Sequence, residues 1–319
     1  QRINVMKTAW LFPGQGAQQV GMGKDLCDAF AGARAVFEQA EAATGLALRK
    51  LCFQSPDDQL ARTDVCQPAI FTVSAATLAV MRDLLGADKF AVLRPAFAAG
   101  LSLGEYTALY AAGAIDLAPA VSLVARRGQL MQQAATATAS GMVSVIGLDE
   151  PQAQVLVAAA AQGEPLTCAN FNCPGQIVIS GSLAACKRVE QLAAVYGAKG
   201  AVRLNVAGAF HSRIMAPAAE GLAQILAGLA FRTPAVPVLA NVDAQVYADG
   251  SAIPAKLIAQ LTGAVRWQQT MESLESQGVE RYYEIGPGRV LAGLMRRINR
   301  RADIVSINSL QAIEELAKQ

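Results

Sequence analysis

Charge is scarce in this chain. Of 319 residues only 16% are charged and 6% aromatic, and a single histidine is present. Lys and Arg number 27 against 25 Asp and Glu, and the two signs are interspersed. Such a surface offers no basic face to a phosphate backbone, which argues against nucleic acid as a partner. Disorder is excluded as well, because a 53% hydrophobic content with so few charges leaves ample apolar surface to bury. Mean hydropathy is +0.30, yet uninterrupted apolar runs fall well short of the ~20 residues of a bilayer span. Alanine supplies the surplus, so no membrane association is expected. Six cysteines (Cys27, Cys52, Cys66, Cys168, Cys173 and Cys186) include no CxxC pair, and one histidine cannot complete a Cys/His zinc site. Buried free thiols in a reducing cytoplasm are expected, with no metal. The first apolar run, Ala9–Phe12, breaks at Pro13-Gly14 and does not read as a signal peptide. Residues Gln1–Val5, ahead of Met6, read as an appendage.

The length suits one large domain, or a large and a small one. A short strand-like run ends in Pro13-Gly14-Gln15-Gly16, and apolar residues at helical spacing follow through Phe37. Gln67–Leu85 reads as a helix and Ala96–Gly100 as a buried strand, followed by a helix-friendly stretch at Ala108–Ala112. Strands and helices in alternation predict a mostly parallel sheet with helices on both faces. Between residues 136 and 203 the rhythm changes. Strands are expected at Met142–Gly147, Leu166–Phe171, Gln176–Gly181 and Ala201–Leu204, with helices at Glu150–Ala161 and Leu183–Tyr196. That βαββαβ order predicts a ferredoxin-like small domain over 136–203, inserted into a large domain formed by 1–135 and 204–319. Further on, Pro217–Leu229 and Ala255–Leu261 read as helices, Val236–Asn241 and Tyr282–Ile285 as strands.

Gly100-Leu101-Ser102-Leu103-Gly104 is a GxSxG sequence placed after a predicted strand and before a predicted helix. A sharp strand-to-helix turn leaves no room for side chains two residues either side of the serine. It projects the hydroxyl outward, near the positive end of the helix, as in α/β-hydrolase-like folds. Such a serine needs a base to take its proton, and His211 is the sole histidine. As a lone histidine it could equally be a structural residue satisfied by backbone groups. No acidic residue stands out as a third member, so a backbone carbonyl or an amide would have to orient the ring.

PGQGAQ, GLSLGEYTAL, ARRGQLMQ, NFNCPGQIVISG, GAFHS and EIGPGRVL occur in that order between Trp10 and about Arg297. Together they resemble the malonyl-CoA:acyl carrier protein transacylases, a group that includes acyltransferase domains of fatty-acid and polyketide synthases. The resemblance implies transfer of a malonyl group from malonyl-CoA to the phosphopantetheine thiol of an acyl carrier protein, with no tightly bound cofactor. Ser102 would be the acylated nucleophile, His211 the general base and acid, and the Gln15 and Leu103 N–H groups the oxyanion hole. Gln260 would hold the histidine through its carbonyl. Arg127, 25 residues after Ser102, would grip the free malonyl carboxylate, since a guanidinium binds a carboxylate through two parallel hydrogen bonds. Phe210 would crowd an α-methyl group, and Met131, Gln67 and Asn172 would line the same pocket. Leu101 stands where the family usually has histidine, which suits a discrete enzyme serving a polyketide assembly line and leaves the pathway open. A monomer is expected. The rival readings are a thioesterase or acyl-carrier hydrolase, and a non-catalytic docking subunit of a synthase.

Overall fold

The computed structural model describes residues 6–318, so Gln1–Val5 lie outside the described residues. Its strands are, in chain order, β1 (Thr8–Phe12), β2 (Phe97–Gly100), β3 (Ser140–Ile146), β4 (Leu166–Cys173), β5 (Gln176–Ser182), β6 (Gly200–Arg203), β7 (Arg281–Ile285) and β8 (Asp303–Ile307). They form two sheets. The first is parallel throughout, in the order β2-β1-β7-β8. The second is antiparallel, in the order β4-β5-β3-β6, and comes entirely from the stretch between β2 and β7.

The period-2 geometry of β1 divides the parallel sheet into two covered faces. Trp10 and Phe12 join one core with Ala98, Tyr283 and Ile285, under helices Thr63–Val92, Leu103–Ala111 and Leu117–Ala137. Ala9 and Leu11 join another with Ala99 and Tyr282, under helices Trp267–Ser276 and Val290–Ile298. A sheet buried on both faces requires near-continuous apolar strands, and TAWLF and FAAG supply them. The second sheet is covered on one face by its own two helices. Val143, Val145, Ile177 and Ile179 meet Leu156 and Val189 there. The alternate residues Met142 and Val178 face the main core instead. Two irregularities in β4 free its backbone to bond elsewhere. The Phe171 N–H donates to the Val265 carbonyl (2.9 Å) and the Val265 N–H to the Ala169 carbonyl (2.8 Å), which sutures the second sheet to the rest of the chain.

Several elements depart from expectation, the helices Leu117–Ala137, Trp267–Ser276, Val290–Ile298 and Leu310–Ala317 among them. The helix expected over Gln67–Leu85 extends from Thr63 to Val92, with a break at Gly86, where φ is 73°. By length and composition that helix could cross a bilayer, but it is packed within the core, which accounts for its apolarity. Val236–Asn241 is not a strand. Pro237 lacks an N–H, and the segment makes only single bridges, Ala98 to Val238 and Leu239 to Val246. β8 was not anticipated, because its half-exposed DIVSI lacks the apolar run of a buried strand. All six cysteines are free and buried. Burial pushes the Cys27 thiol up to about 11, which keeps it an unreactive thiol.

The turn after β2 is the tightest point of the fold. A Cβ on Gly100 would lie 1.9 Å from the Gly104 carbonyl carbon, and one on Gly104 would lie 2.0 Å from the Phe12 oxygen. Backbone is the obstacle in both cases, so neither neighbour can yield. Gly104→Ala is therefore expected to cost ~1–3 kcal/mol or more of stability. Thermal unfolding should show a melting temperature lower by a few degrees, and an unchanged midpoint would contradict this packing.

Candidate active site

Ser102 occupies the turn between β2 and the helix Leu103–Ala111, with φ 51° and ψ −101°. A non-glycine residue at positive φ is strained by ~1–3 kcal/mol and persists only where its surroundings dictate it. Here Asn241 supplies the constraint. Its Nδ2 donates to the Gly100 carbonyl (2.7 Å) and its Oδ1 accepts from the Ser102 N–H (2.7 Å), so one side-chain amide spans the turn. The serine hydroxyl then sits at the positive end of the following helix.

His211 also has positive φ, 56°. Its Nδ1 lies 2.7 Å from the Gln260 carbonyl and its Nε2 lies 2.8 Å from Ser102 Oγ. A carbonyl can only accept, so Nδ1 carries the hydrogen and Nε2 is left as the acceptor for the serine proton. The carbonyl thus does the orienting that a carboxylate does in a Ser-His-Asp triad. Burial, and secondarily the nearby Arg127 cation, push the imidazole down to about 4, and its carbonyl hydrogen bond opposes this in part. At neutral pH the ring is a free base.

Arg127 takes a position on the apolar stripe of the helix Leu117–Ala137, between Val124 and Met131, and is fully buried. Its Nη1 donates to Gln67 Oε1 (2.6 Å), and its Nη2 donates to Gln260 Oε1 (2.9 Å) and to Ser102 Oγ (3.0 Å). The guanidinium lies 5.0 Å from the centre of the Tyr106 ring. Among the described residues it makes no ion pair, and its Nε has no hydrogen-bond partner. A buried cation satisfied by neutral groups alone is costly. The neighbouring Arg126 is exposed and bonds Gln129.

A cleft of about 220 Å³ opens over these groups, walled by the serine turn and Arg127 on one side and by the second sheet on the other. Every residue singled out in the sequence except Gln260 lines it: Gln15, Gln67, Ser102, Leu103, Arg127, Met131, Asn172, Phe210 and His211. Gln260 lies fully buried behind them. Gln67 Nε2 also meets Met131 Sδ (3.5 Å). Phe210 is buried and pinned by Ser180 Oγ, which donates to its carbonyl (2.7 Å). Leu103 opens its helix, where no preceding turn offers its N–H an acceptor, and Gln15 lies in the turn after β1. Leu101 packs at the cleft wall, its N–H donating to the Phe12 carbonyl (3.1 Å).

Sequence reasoning missed three residues behind the site: Glu105, Asn241 and Tyr247. Glu105 is fully buried. It accepts from the Asn241 N–H (3.0 Å), from Gln260 Nε2 (2.7 Å) and from the Tyr247 hydroxyl. Burial pushes its carboxyl up to about 7, against the opposing pull of those three donors. Its place in GLSLGEYTAL was the one available signal. Asn241 and Tyr247 lie in the irregular segment beside β2, where no motif marks them.

A strained serine with an imidazole acceptor, beside helix-end N–H groups and a buried cation, defines the class of serine-dependent acyl-transfer sites. The chain belongs to the acyl transferase domain family, which it matches over residues 9–310. It is 40% identical over 309 residues to the malonyl CoA-acyl carrier protein transacylase of Bacillus subtilis, covering 97% of this chain and 95% of that protein. Among solved structures it resembles an acyl carrier protein S-malonyltransferase from Vibrio cholerae. That match has a TM-score of 0.91 and 41% identity, and covers 97% of this chain and 99% of the other. It also resembles a malonyl-transacylase solved in complex with its type II PKS acyl-carrier protein, with TM-score 0.92 and 38% identity over 98% of this chain and 99% of the other.

The depressed imidazole gives a pH signature. Between about 4 and 6.5 the folded protein keeps His211 neutral while the unfolded chain protonates it, so this residue makes the fold less stable as pH falls through that window. Single-turnover acylation of the protein is expected to hold its rate as pH drops through 6.5 and to fall only near about 4. A midpoint near 6.5 would contradict this environment.

Proposed function

We propose that this chain transfers a malonyl group from malonyl-CoA to the phosphopantetheine thiol of an acyl carrier protein, through an ester on Ser102. One observation carries the choice of acyl group: a fully buried arginine that, among the described residues, meets no carboxylate and touches the nucleophile (3.0 Å). A guanidinium so placed complements an acyl group that ends in its own carboxylate, two carbons beyond the reacting carbonyl. An acetyl group would leave that cation unpaired.

In the first half-reaction Ser102 Oγ attacks the thioester carbonyl and its proton passes to His211 Nε2. The oxyanion sits against the N–H groups of Gln15 and Leu103, each donor contributing ~10²–10³ in rate. Collapse expels CoA, and His211 returns the proton to the departing sulfur. Once acylated, Ser102 Oγ is an ester oxygen and a poorer acceptor, which frees Arg127 Nη2 for the malonyl carboxylate. In the second half the carrier thiol gives its proton to His211 and attacks the ester, and Ser102 recovers the proton as it leaves. The scheme uses side-chain and backbone groups alone. Phe210 crowds an α-methyl substituent, a discrimination of ~1–3 kcal/mol, so methylmalonyl should be disfavoured without being refused.

This reading divides the chain into an α/β-hydrolase-like large domain (1–135 and 204–319) and a ferredoxin-like small domain (136–203). It is supported by the parallel first sheet and by the order and antiparallel sense of the second. The cleft between them shields the ester from water. An acyl-carrier hydrolase would have no use for Arg127, and a docking subunit none for the Ser102–His211 contact. The Leu101 side chain offers neither a proton nor a hydrogen bond beside the nucleophile, in keeping with a carrier-specific role in polyketide assembly.

Intact mass after brief incubation with malonyl-CoA tests the scheme. The wild type should gain one malonyl group and Ser102→Ala none. Release of CoA without an adduct would favour hydrolysis, and neither adduct nor CoA would overturn the substrate assignment.

A further inference from the structure

The reacting groups are tied together by a residue that touches none of their reacting atoms. Glu105 sits one helical turn below Ser102 and is fully buried. Its Oε2 receives Gln260 Nε2 (2.7 Å) and the Asn241 N–H (3.0 Å), and its Oε1 receives the Tyr247 hydroxyl. Each of the first two partners leads back to the site. The Gln260 carbonyl holds His211 Nδ1 (2.7 Å), its Oε1 holds Arg127 Nη2 (2.9 Å), and its Nε2 also reaches the Ser102 carbonyl (2.9 Å). The Asn241 side chain clamps both sides of the serine turn.

We propose that Glu105 is a positioning residue that sets His211 and Arg127 in register with Ser102, chiefly by fixing which way the Gln260 amide faces. An amide can present its oxygen or its nitrogen to the guanidinium. With Nε2 held by the Glu105 carboxyl, only Oε1 is left for Arg127. Without that anchor only the Ser102 carbonyl is left to hold Nε2, and the amide can turn, place two N–H donors against a cation, and displace the guanidinium from the acyl pocket. The role depends on reach more than on charge. A neutral carboxyl or carboxamide at 105 can still accept from Gln260 and Asn241 while Tyr247 turns its hydroxyl to accept in place of donating.

This inference rests on the malonyl reading above, and the test separates the two. Glu105→Gln keeps the reach and removes the charge, whereas Glu105→Asp keeps the charge and withdraws the carboxylate by one methylene. The readout is the ratio of single-turnover acylation rates with malonyl-CoA and acetyl-CoA, a quantity that loss of folded protein cannot move because it scales both rates alike. Misplacement of a positioned group by about 1 Å costs on the order of 10²-fold. The Asp variant should therefore lose at least ~10-fold in the malonyl:acetyl ratio, and the Gln variant should stay within ~3-fold of wild type. An Asp variant that keeps the wild-type ratio, or a Gln variant that loses it equally, overturns the proposal. A wild-type protein with no preference for malonyl would overturn the acyl-group reading itself.

Discussion

A guanidinium buried without a carboxylate constrains everything around it. Moving such a charge out of water carries a penalty of several kcal/mol, offset only if every available contact is well made. In this protein those contacts are the amide oxygens of Gln67 and Gln260, the face of Tyr106 and the oxygen of Ser102. The same cation helps to keep His211 neutral and therefore able to accept a proton. On the proposed reading, specificity and nucleophile activation share one charge, and Gln260, which bonds Arg127 and His211 at once, couples them.

The two sheets have separate duties around that charge. The parallel sheet delivers Ser102 at the end of β2, where glycines on both sides admit a turn that backbone atoms would otherwise block. The antiparallel sheet contributes the opposite wall, with Met142, Asn170 and Val178 facing the cleft. Backbone hydrogen bonds among Ala169, Phe171 and Val265 attach it to the rest of the chain. Val265 lies five residues beyond Gln260, so the suture and the histidine's carbonyl partner belong to one short stretch of chain.

Much of this was legible in the sequence where the constraint is local. The serine turn is spelled out by its glycines: the clash Gly100 avoids lies four residues on, at Gly104, although the one Gly104 avoids is with the distant Phe12 carbonyl. The βαββαβ alternation was legible because each element has its own apolar periodicity. His211 was found by elimination, and Arg127 through its motif. Residues whose meaning lies in distant partners were not legible. Glu105 and Gln260 are 155 positions apart, and Ser102 and Asn241 are 139 apart. Local pattern cannot pair them: Asn241 ends the run in which Pro237 prevents the expected strand, and Tyr247 lies six residues beyond it.

The most direct test of the account replaces the cation. In Arg127→Ala, acylation by malonyl-CoA should fall by the ~2–5 kcal/mol of a lost buried charge contact, or about 30-fold to several thousand-fold. Acylation by acetyl-CoA should persist or improve. An equal loss with both acyl donors would show that Arg127 serves the nucleophile alone and would contradict its role as the carboxylate's partner.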